Sequence, residues 1–428
     1  MIIYNVFPLL AGRINHWEAH FRRAAEMGFD WIFLNPVQKT GESGSLYSIG
    51  DYFQISPRLV DKDSPVAPDQ QIRDACAAAR RLGLGMMVDL VVNHCAADSP
   101  LTRDHPEWFA HEEDGRIEHP FCVEEDGKKV VWTDLARFDH AGTADGEGLY
   151  RYVVDIVGYL VGLGFTGFRC DAAYQIPDTF WQRLIAEVKG RHPGIVFTAE
   201  TLGCTPDETK QTALAGFDYV YNSSKWWDFE APWLLEQYEL VRATTPSISF
   251  PETHDTPRLF KETQGNVDAV KQRLFFATFF SAGSMLPLGF EFGFRKPLHV
   301  VFSEPEHWEK PNIDLCAFIG QLNAVKRQYR IFQEEGPLRM LDSPDPHILL
   351  LWKTSATASE EALIILNKDT LHPHSLHAFN LVSQVKPQAL LLDVTPGHAD
   401  STVDTTSMSY DLRPGHGIVL VTAEMHPR

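Results

Sequence analysis

The chain has 428 residues, 44% hydrophobic and 22% charged, the make-up of a folded globular protein with room for one large domain and a smaller one. Its 57 acidic against 38 basic residues give a formal charge of −19, which argues against nucleic-acid and membrane partners, because such a surface repels phosphate backbones and anionic lipid. The first residues, MIIYNVFPLL, carry no basic start and lead straight into a strand pattern, and no apolar run is long enough to span a bilayer. No signal peptide is expected. The six scattered cysteines, without a CxxC pair, are expected as reduced thiols of a cytoplasmic protein.

In chain order, apolar runs predict strands at IIYNVF (2–7), WIFLNP (31–36), GMMVDLVVN (85–93), FTGFRCD (165–171), IVFTAE (195–200), FDYVYN (217–222), SISFPE (247–252) and MLPLGF (285–290). Runs such as MMVDLVV lack strict alternation, as strands buried on both faces do. Helical patterns lie between them. In 149–163, Leu149, Tyr152, Val153, Ile156, Leu160 and Leu163 recur at spacings of three and four; 178–191 repeats the pattern, and Pro193 ends it. Eight β–α units in one chain predict an α/β fold, a (β/α)8 TIM barrel. The stretch from 94 to about 146 is too long for an ordinary barrel loop and is rich in Asp, Glu, His and Gly. Beyond about 335, strands at HILLLWKT (347–354), ALIILNKD (362–369), ALLLDVTPG (389–397) and GIVLVTAE (417–424) follow one another without helices, as in an all-β sandwich. The expected organisation is a catalytic barrel from 1–93 and 147–335, an inserted domain at 94–146 and a C-terminal β-sandwich at 336–428.

A (β/α)8 barrel places its active site at the C-terminal ends of its strands. The third strand ends in Asp89, Asn93 and His94, the fourth in Arg169 and Asp171, the fifth in Glu200 and the seventh in His254 and Asp255. Any one of these could be a structural ion pair or a helix cap; four strand tips doing so together is hard to credit to chance. Two carboxylates suffice for retaining glycoside hydrolysis, one as nucleophile and one as acid and then base. Arg169 beside Asp171 would keep that aspartate charged, and Glu200 has no basic neighbour in sequence, which suits an acid.

Here the pattern becomes specific. DLVVNH, GFRCDAA, the Glu of TAE and THD resemble, in order and strand by strand, the four signatures of the α-amylase family of glycoside hydrolases and transglycosylases. The resemblance implies Asp171 as nucleophile, Glu200 as general acid/base and Asp255 as the stabilising carboxylate, with His94, His254 and Arg169 on the innermost sugar or the nucleophile. GSLYSIGDYFQISP (44–57) resembles the family's stretch after strand two, implying Tyr47 stacked on that sugar and Asp51 in support of the site. WTDLARFD (132–139) resembles a weaker fifth signature through Asp134, with Ala136 where many members have Asn.

The chain also departs from the family's pattern. Many members hold a structural calcium through the Asn of the first signature, an Asp of the insertion and a residue past the second signature. Asn93 is present, but Tyr174-Gln175-Ile176-Pro177 replaces the familiar Lys-His, and calcium needs six to eight oxygens. The expectation is therefore no metal and no cofactor. The missing Lys-His also removes groups that contact the next sugar, which counts against ordinary endo-amylase specificity. Among aromatics, the pair Trp226-Trp227 after strand six is the stronger candidate for sugar contact, ahead of Trp108, Phe109 and Trp132; Glu291 is expected to be structural.

The functional expectation is a retaining enzyme acting on α-glucosidic bonds of maltodextrin-like glucans or oligosaccharides through a covalent glycosyl-aspartate, by hydrolysis or by transfer. Two alternatives remain. NPVQKTGESGSLYSIGDY has a likeness to maltosyltransferases of the same family that use maltose 1-phosphate, so a transferase using a sugar phosphate is one. An inactive scaffold on the same fold is the other, disfavoured because Asp171, Glu200, Asp255 and Arg169 are all present.

Overall fold

The computed structural model describes residues 1–123, 128–377, 390–398, 401–406 and 408–422. Eight parallel strands close into a barrel: β1 (Ile2–Val6), β2 (Trp31–Leu34), β3 (Gly85–Leu90), β4 (Gly167–Cys170), β5 (Val196–Ala199), β6 (Tyr219–Tyr221), β7 (Ser247–Ser249) and β8 (Gly283–Pro287). Each strand pairs with its sequence neighbours, and β8 closes on β1 through Ile2 opposite Ser284. The helices that follow the strands are α1 (Trp17–Glu26), α2 (Pro68–Arg81), α3 (Gly146–Gly162), α4 (Asp178–Arg191), α5 (Pro206–Leu214), α6 (Trp233–Val241), α7 (Val267–Phe280) and α8 (Cys316–Gln328).

The two-residue period of each strand sorts its side chains. Ile2, Tyr4, Ile32, Leu34, Met86, Val88, Phe168 and Phe197 face the helices and join the main core. Ile3, Phe33, Met87, Tyr221, Ile248 and Met285 point inward and fill one layer of the barrel. At this level β4 carries Gly167, because a Cβ there would come within 2.8 Å of the Trp31 ring. The next inward positions are Asn5, Asn35, Asp89, Arg169 and Thr198, all buried. Register places Arg169 between Asp89 and Thr198. The change from apolar to polar between successive inward layers marks the mouth of the barrel.

The strand expected to run to 93 stops at Leu90. A short strand, His94–Ala96, then pairs antiparallel with Leu135–Arg137 and opens the segment before α3. This segment also carries the hairpin Phe121–Val123 with Lys129–Val131. Asp145 ties it to the barrel, capping α3 by accepting from Gly148 N–H while its other oxygen accepts from Trp108 Nε1 at 3.0 Å.

After α8 come β9 (Leu338–Met340), β10 (Ile348–Thr354), β11 (Glu361–Asn367), β12 (His374–His377), β13 (Leu390–Asp393), β14 (Ser401–Asp404), β15 (Ser409–Leu412) and β16 (Gly417–Thr422). Six form an antiparallel sheet in the order β9-β10-β11-β16-β13-β14, and β12 pairs with β15 in a second, two-stranded sheet. The two sheets are thus unequal. The runs 348–352 and 362–366 are apolar throughout because both faces are covered. Leu350, Trp352, Leu363, Ile365, Ile418 and Leu420 meet Leu376 and Leu412 of the small sheet, whereas Leu349, Leu351, Ile364, Leu366, Val419 and Val421 join the barrel's core. Helix α7, covered on both sides, is buried almost all round. The short polar strands β9, β12, β14 and β15 lack an apolar run and were not expected; residues 389, 423 and 424 of the expected strands lie outside the described residues. Among the described residues no helix is long and apolar enough to cross a membrane, and Cys76, Cys95, Cys170, Cys204 and Cys316 are free.

Candidate active site

Arg169 is the centre of the barrel mouth. Its Nη1 donates to Asp89 Oδ1 and to Asp171 Oδ1, both at 2.7 Å, and its Nη2 lies 3.9 Å from Glu200 Oε2. One buried guanidinium therefore faces three carboxylates from β3, β4 and β5, the arrangement that offsets the cost of burying each charge. Asp89 is fully enclosed. Burial raises it to about 6, although Arg169 works in the opposite direction.

The second oxygen of Asp89 accepts from the Tyr47 hydroxyl at 2.6 Å. That hydroxyl in turn accepts from Asn35 Nδ2 at 2.9 Å, and Asn35 Oδ1 accepts from Asn5 Nδ2 at 2.9 Å. Tyr47 also contacts His254 Nε2 at 2.6 Å, and the same nitrogen lies 2.9 Å from Asp255 Oδ2. A carboxylate can only accept, so Nε2 of His254 carries the proton. The rings of Tyr47 and His254 lie 2° from parallel. His94 donates from Nε2 to the Tyr47 carbonyl at 3.1 Å, and the Tyr52 hydroxyl donates to the carbonyls of Val91 and His94, pinning that loop.

Glu200 accepts two backbone N–H groups, from Ala172 to Oε2 and from Leu202 to Oε1, both at 2.8 Å. Ala172 presents its N–H from a left-handed conformation, φ 40° and ψ 47°, unusual for a residue with a Cβ. Burial nevertheless dominates and raises Glu200 to about 7; Arg169 opposes this and the Asp171 charge adds to it. Asp255 is the opposite case. Desolvation in the cleft would raise it, but the His254 contact and the Arg169 charge prevail and hold it below the ordinary carboxylate range.

Tyr47, His94, Asp171, Glu200 and Asp255 line one cavity of about 350 Å³, closed on the insertion side by Pro120, Trp132 and Asp134 and at its rim by Ser45, Tyr174 and Val300. Among the described residues no Lys or Arg lines it. Across Asp255 and Val300 lies a second cavity of about 420 Å³, over the tips of β7 and β8, with Lys261, Arg295 and His299 in its wall.

Eight of the nine expected residues thus converge: Tyr47, Asp89, His94, Arg169, Asp171, Glu200, His254 and Asp255. Asp51 does not. It alternates with Tyr52 along the strand Ile49–Ile55; Tyr52 points to the barrel, so Asp51 points away, and its carboxylate accepts from Phe53 N–H at 2.9 Å. The order expected among the aromatics also changes. Trp227 is buried against Phe229, Phe276 and Phe280, and Trp226 is exposed outside the cavity, whereas Trp132 lines it. Trp108 and Phe109 are buried. Glu291 is fully buried and receives Tyr4 and Arg23, a structural role. Asn5, Asn35, Tyr52 and the Ala172 amide went unmarked; the only signal for the first two is an asparagine inside an apolar strand run.

At the wall where a family calcium would be sought, the side-chain oxygens among the described residues come from Asn93, Gln175 and Asp134. Asn93 Oδ1 is buried without a partner, and its Nδ2 reaches Gln175 Oε1 only at 3.4 Å. Asp139 is turned away, its Oδ1 accepting from Ala141 and Gly142 N–H, and His140 Nε2 occupies the Val92 carbonyl at 2.6 Å. One carboxylate and two amides do not amount to the six to eight oxygens of a calcium site.

Residues 1–113 match the family model described as glycogen debranching enzyme, glucanotransferase domain. Among curated proteins the chain is 26% identical over 389 residues to the alpha-1,4-glucan:maltose-1-phosphate maltosyltransferase of Burkholderia pseudomallei, covering 86% of this chain and 33% of that protein. It is 26% identical over 408 residues to the enzyme of the same name from Myxococcus xanthus, covering 86% of this chain and 58% of that one. The chain therefore spans between a third and three-fifths of the length of these relatives. Among solved structures it superposes on an α-amylase from Lactobacillus plantarum with TM-score 0.77 at 20% identity, over 99% of this chain and 98% of that one. It also superposes on an acarbose-soaked debranching enzyme from Nostoc punctiforme with TM-score 0.72 at 18% identity, over 98% of each chain. With the closed barrel, the four motifs at one mouth and this similarity along most of its length, the chain resembles the α-amylase family of glycoside hydrolases and transglycosylases in fold and in site.

Proposed function

We propose that the chain processes α-glucosidic bonds of maltodextrin-like glucans or oligosaccharides with retention of configuration. An oxygen of Asp171 attacks the anomeric carbon while Glu200 gives its proton to the departing glycosidic oxygen, leaving a glycosyl-aspartate. Glu200, now a carboxylate, takes a proton from water or from a sugar hydroxyl; that oxygen attacks the anomeric carbon and frees Asp171. Asp255 and Arg169 flank the oxocarbenium-like charge and the nucleophile. The observation that carries this reading is the contrast between two adjacent carboxylates. Asp171 is ion-paired with Arg169 at 2.7 Å, while burial holds Glu200 at about 7, where it can serve as acid and then base.

A sugar-phosphate donor is the second reading, favoured by the names of the curated relatives. The cavity on the Glu200 side, where a leaving group departs, has four acids and, among the described residues, no Lys or Arg in its wall. A neutral leaving group suits it better than a phosphate. The reduced, buried thiols of Cys76, Cys95 and Cys170 support a cytoplasmic setting, and the oxygen set around Asn93 supports the absence of a structural calcium.

A product time course on maltotetraose, with and without glucose, maltose or inorganic phosphate, tests this. Shorter sugars alone identify a hydrolase; longer oligomers or products containing the added sugar identify a transferase. A glycosyl phosphate would replace the first reading by the second, and no turnover of any α-glucoside would overturn both.

A further inference from the structure

Far from the barrel mouth, three segments of the C-terminal sheets bring histidines and aspartates together. His347 precedes β10, Asp369 follows β11 and His374 opens β12. One ligand atom from each lies within 4.8 Å of the other two. The spacing in the chain gives no hint of this, because the three residues come from different strands and meet only through the sheet.

We propose that His347, Asp369 and His374 form a binding site for a divalent transition metal of the zinc class, with the fourth position open to solvent. The geometry has two features of such sites. First, His374 is oriented from behind: its Nδ1 lies 2.7 Å from Asp345 Oδ2, while Asp345 Oδ1 is fixed by accepting His347 N–H at 2.8 Å. A carboxylate on one ring nitrogen that aims the other is the usual support of a metal-bound histidine. Second, the aimed nitrogen, Nε2, stands 3.5 Å from Asp369 Oδ2. That is at the outer limit of a hydrogen bond, yet it is near the separation of about 3.3 Å between two ligands on a tetrahedral ion with bonds of about 2.0–2.1 Å.

The Asp369 carboxylate is itself prepositioned. Its Oδ1 accepts from Leu371 and His372 N–H at 2.7 and 3.1 Å, and His372 Nδ1 lies 3.0 Å from Oδ2. The His347 and His374 rings are 4.4 Å apart, and His347 is exposed, so a modest rotation brings its nitrogen onto the ion. Imidazole and carboxylate donors in this ratio suit zinc, cobalt or nickel rather than calcium or magnesium.

The site's place in the fold gives it a role. The stretch that carries Asp369 is docked on the barrel: Asn266 Nδ2 donates to Thr370 O, Gln272 Nε2 to the carbonyls of Asn367 and Lys368, and Lys368 pairs with Glu230. A metal joining that stretch to β10 and β12 would clamp the C-terminal sheets at their seam with the barrel, a stabilising rather than a catalytic function.

The test uses the full chain freed of metal by chelation and titrated with Co²⁺, followed by Zn²⁺ displacement. The expected result is one equivalent of Co²⁺ with the intense visible absorption of a four-coordinate ion, displaced by Zn²⁺, and a melting temperature that rises with Zn²⁺. His347→Ala and His374→Ala should each abolish both signals, Asp345→Asn should weaken affinity 10- to 100-fold, and His111→Ala should change neither. Because His347 is exposed, its variant reports on the site without disturbing the fold. Absence of the cobalt spectrum, or an unchanged spectrum in His347→Ala/His374→Ala, would overturn the proposal and leave His374 as an imidazolium held between two carboxylates.

Discussion

Glu200 is the residue whose environment makes the strongest quantitative demand. Its two oxygens accept backbone N–H groups, yet burial lifts it from its ordinary 4.5 to about 7. That difference is worth about 3 kcal/mol, at 1.36 kcal/mol per tenfold change in proton affinity. Its direction fixes its sign. Below pH 4.5 the carboxyl is protonated in the folded and the unfolded chain, and it costs nothing. Between pH 4.5 and 7 the unfolded chain ionises first, so stability falls as pH rises; above 7 the full penalty of about 3 kcal/mol is present. Glu200→Gln removes the titration. The variant loses one acceptor and leaves a backbone N–H without its partner, an offset of about 1–3 kcal/mol that does not depend on pH. The test compares melting temperatures of the two proteins from pH 4 to pH 8.5. Relative to the variant, the wild-type chain should lose a few degrees across pH 4.5–7 and nothing beyond. The same substitution should lower kcat/KM on natural oligosaccharides by about 10²–10⁴ and much less on aryl glycosides with activated leaving groups. Parallel stability curves, or equal losses on both substrate types, would refute the assignment of Glu200 as a buried acid.

Asp171→Asn should abolish turnover while the melting temperature stays within about 2 °C, checked by activity and calorimetry together, because it removes the nucleophile and leaves Arg169 its bond to Asp89. Tyr47→Phe strips a hydroxyl that joins Asp89, Asn35 and His254; a stability loss of about 1–3 kcal/mol and a fall in kcat are expected, measured by denaturant unfolding and initial rates. Ala172→Gly should preserve activity, whereas Ala172→Val, with a β-branched side chain at φ 40°, should displace the Glu200 amide contact and lower kcat/KM, as initial rates will show. Added calcium should leave the melting temperature unchanged, since the donors around Asn93 are too few.

The barrel was legible because both-face burial leaves continuous apolar runs, and its strand tips because charge at the end of such a run stands out. The finer structure was not. Asn5 and Asn35 lie on different strands from Tyr47, so their chain of hydrogen bonds exists only once the barrel closes. Asp51 was misread because the direction of a side chain depends on where its strand begins to alternate, and the inward phase is set by Tyr52. Trp132 reaches the cavity from the insertion, whose path no local pattern encodes, while Trp227 sits after a strand tip yet turns back toward α7. In the C-terminal sheets the long runs were visible, but β12 (HSLH) and β15 (SYDL) bury one leucine each, too little to register as strands.

Closure of the barrel has a consequence for how the chain is made. β1 meets β2 early, through Ile3 and Trp31, but its other neighbour arrives only when Ser284 is available to pair with Ile2. Until then β1 is an apolar strand with one open edge, the kind of template on which nascent chains associate, and the loop that must close is among the longest possible in this fold. β8 therefore acts as a latch on biogenesis. Weak substitutions in Gly283–Pro287 should appear first as poor yield of folded protein at high expression temperature, with those molecules that do close showing ordinary kinetics.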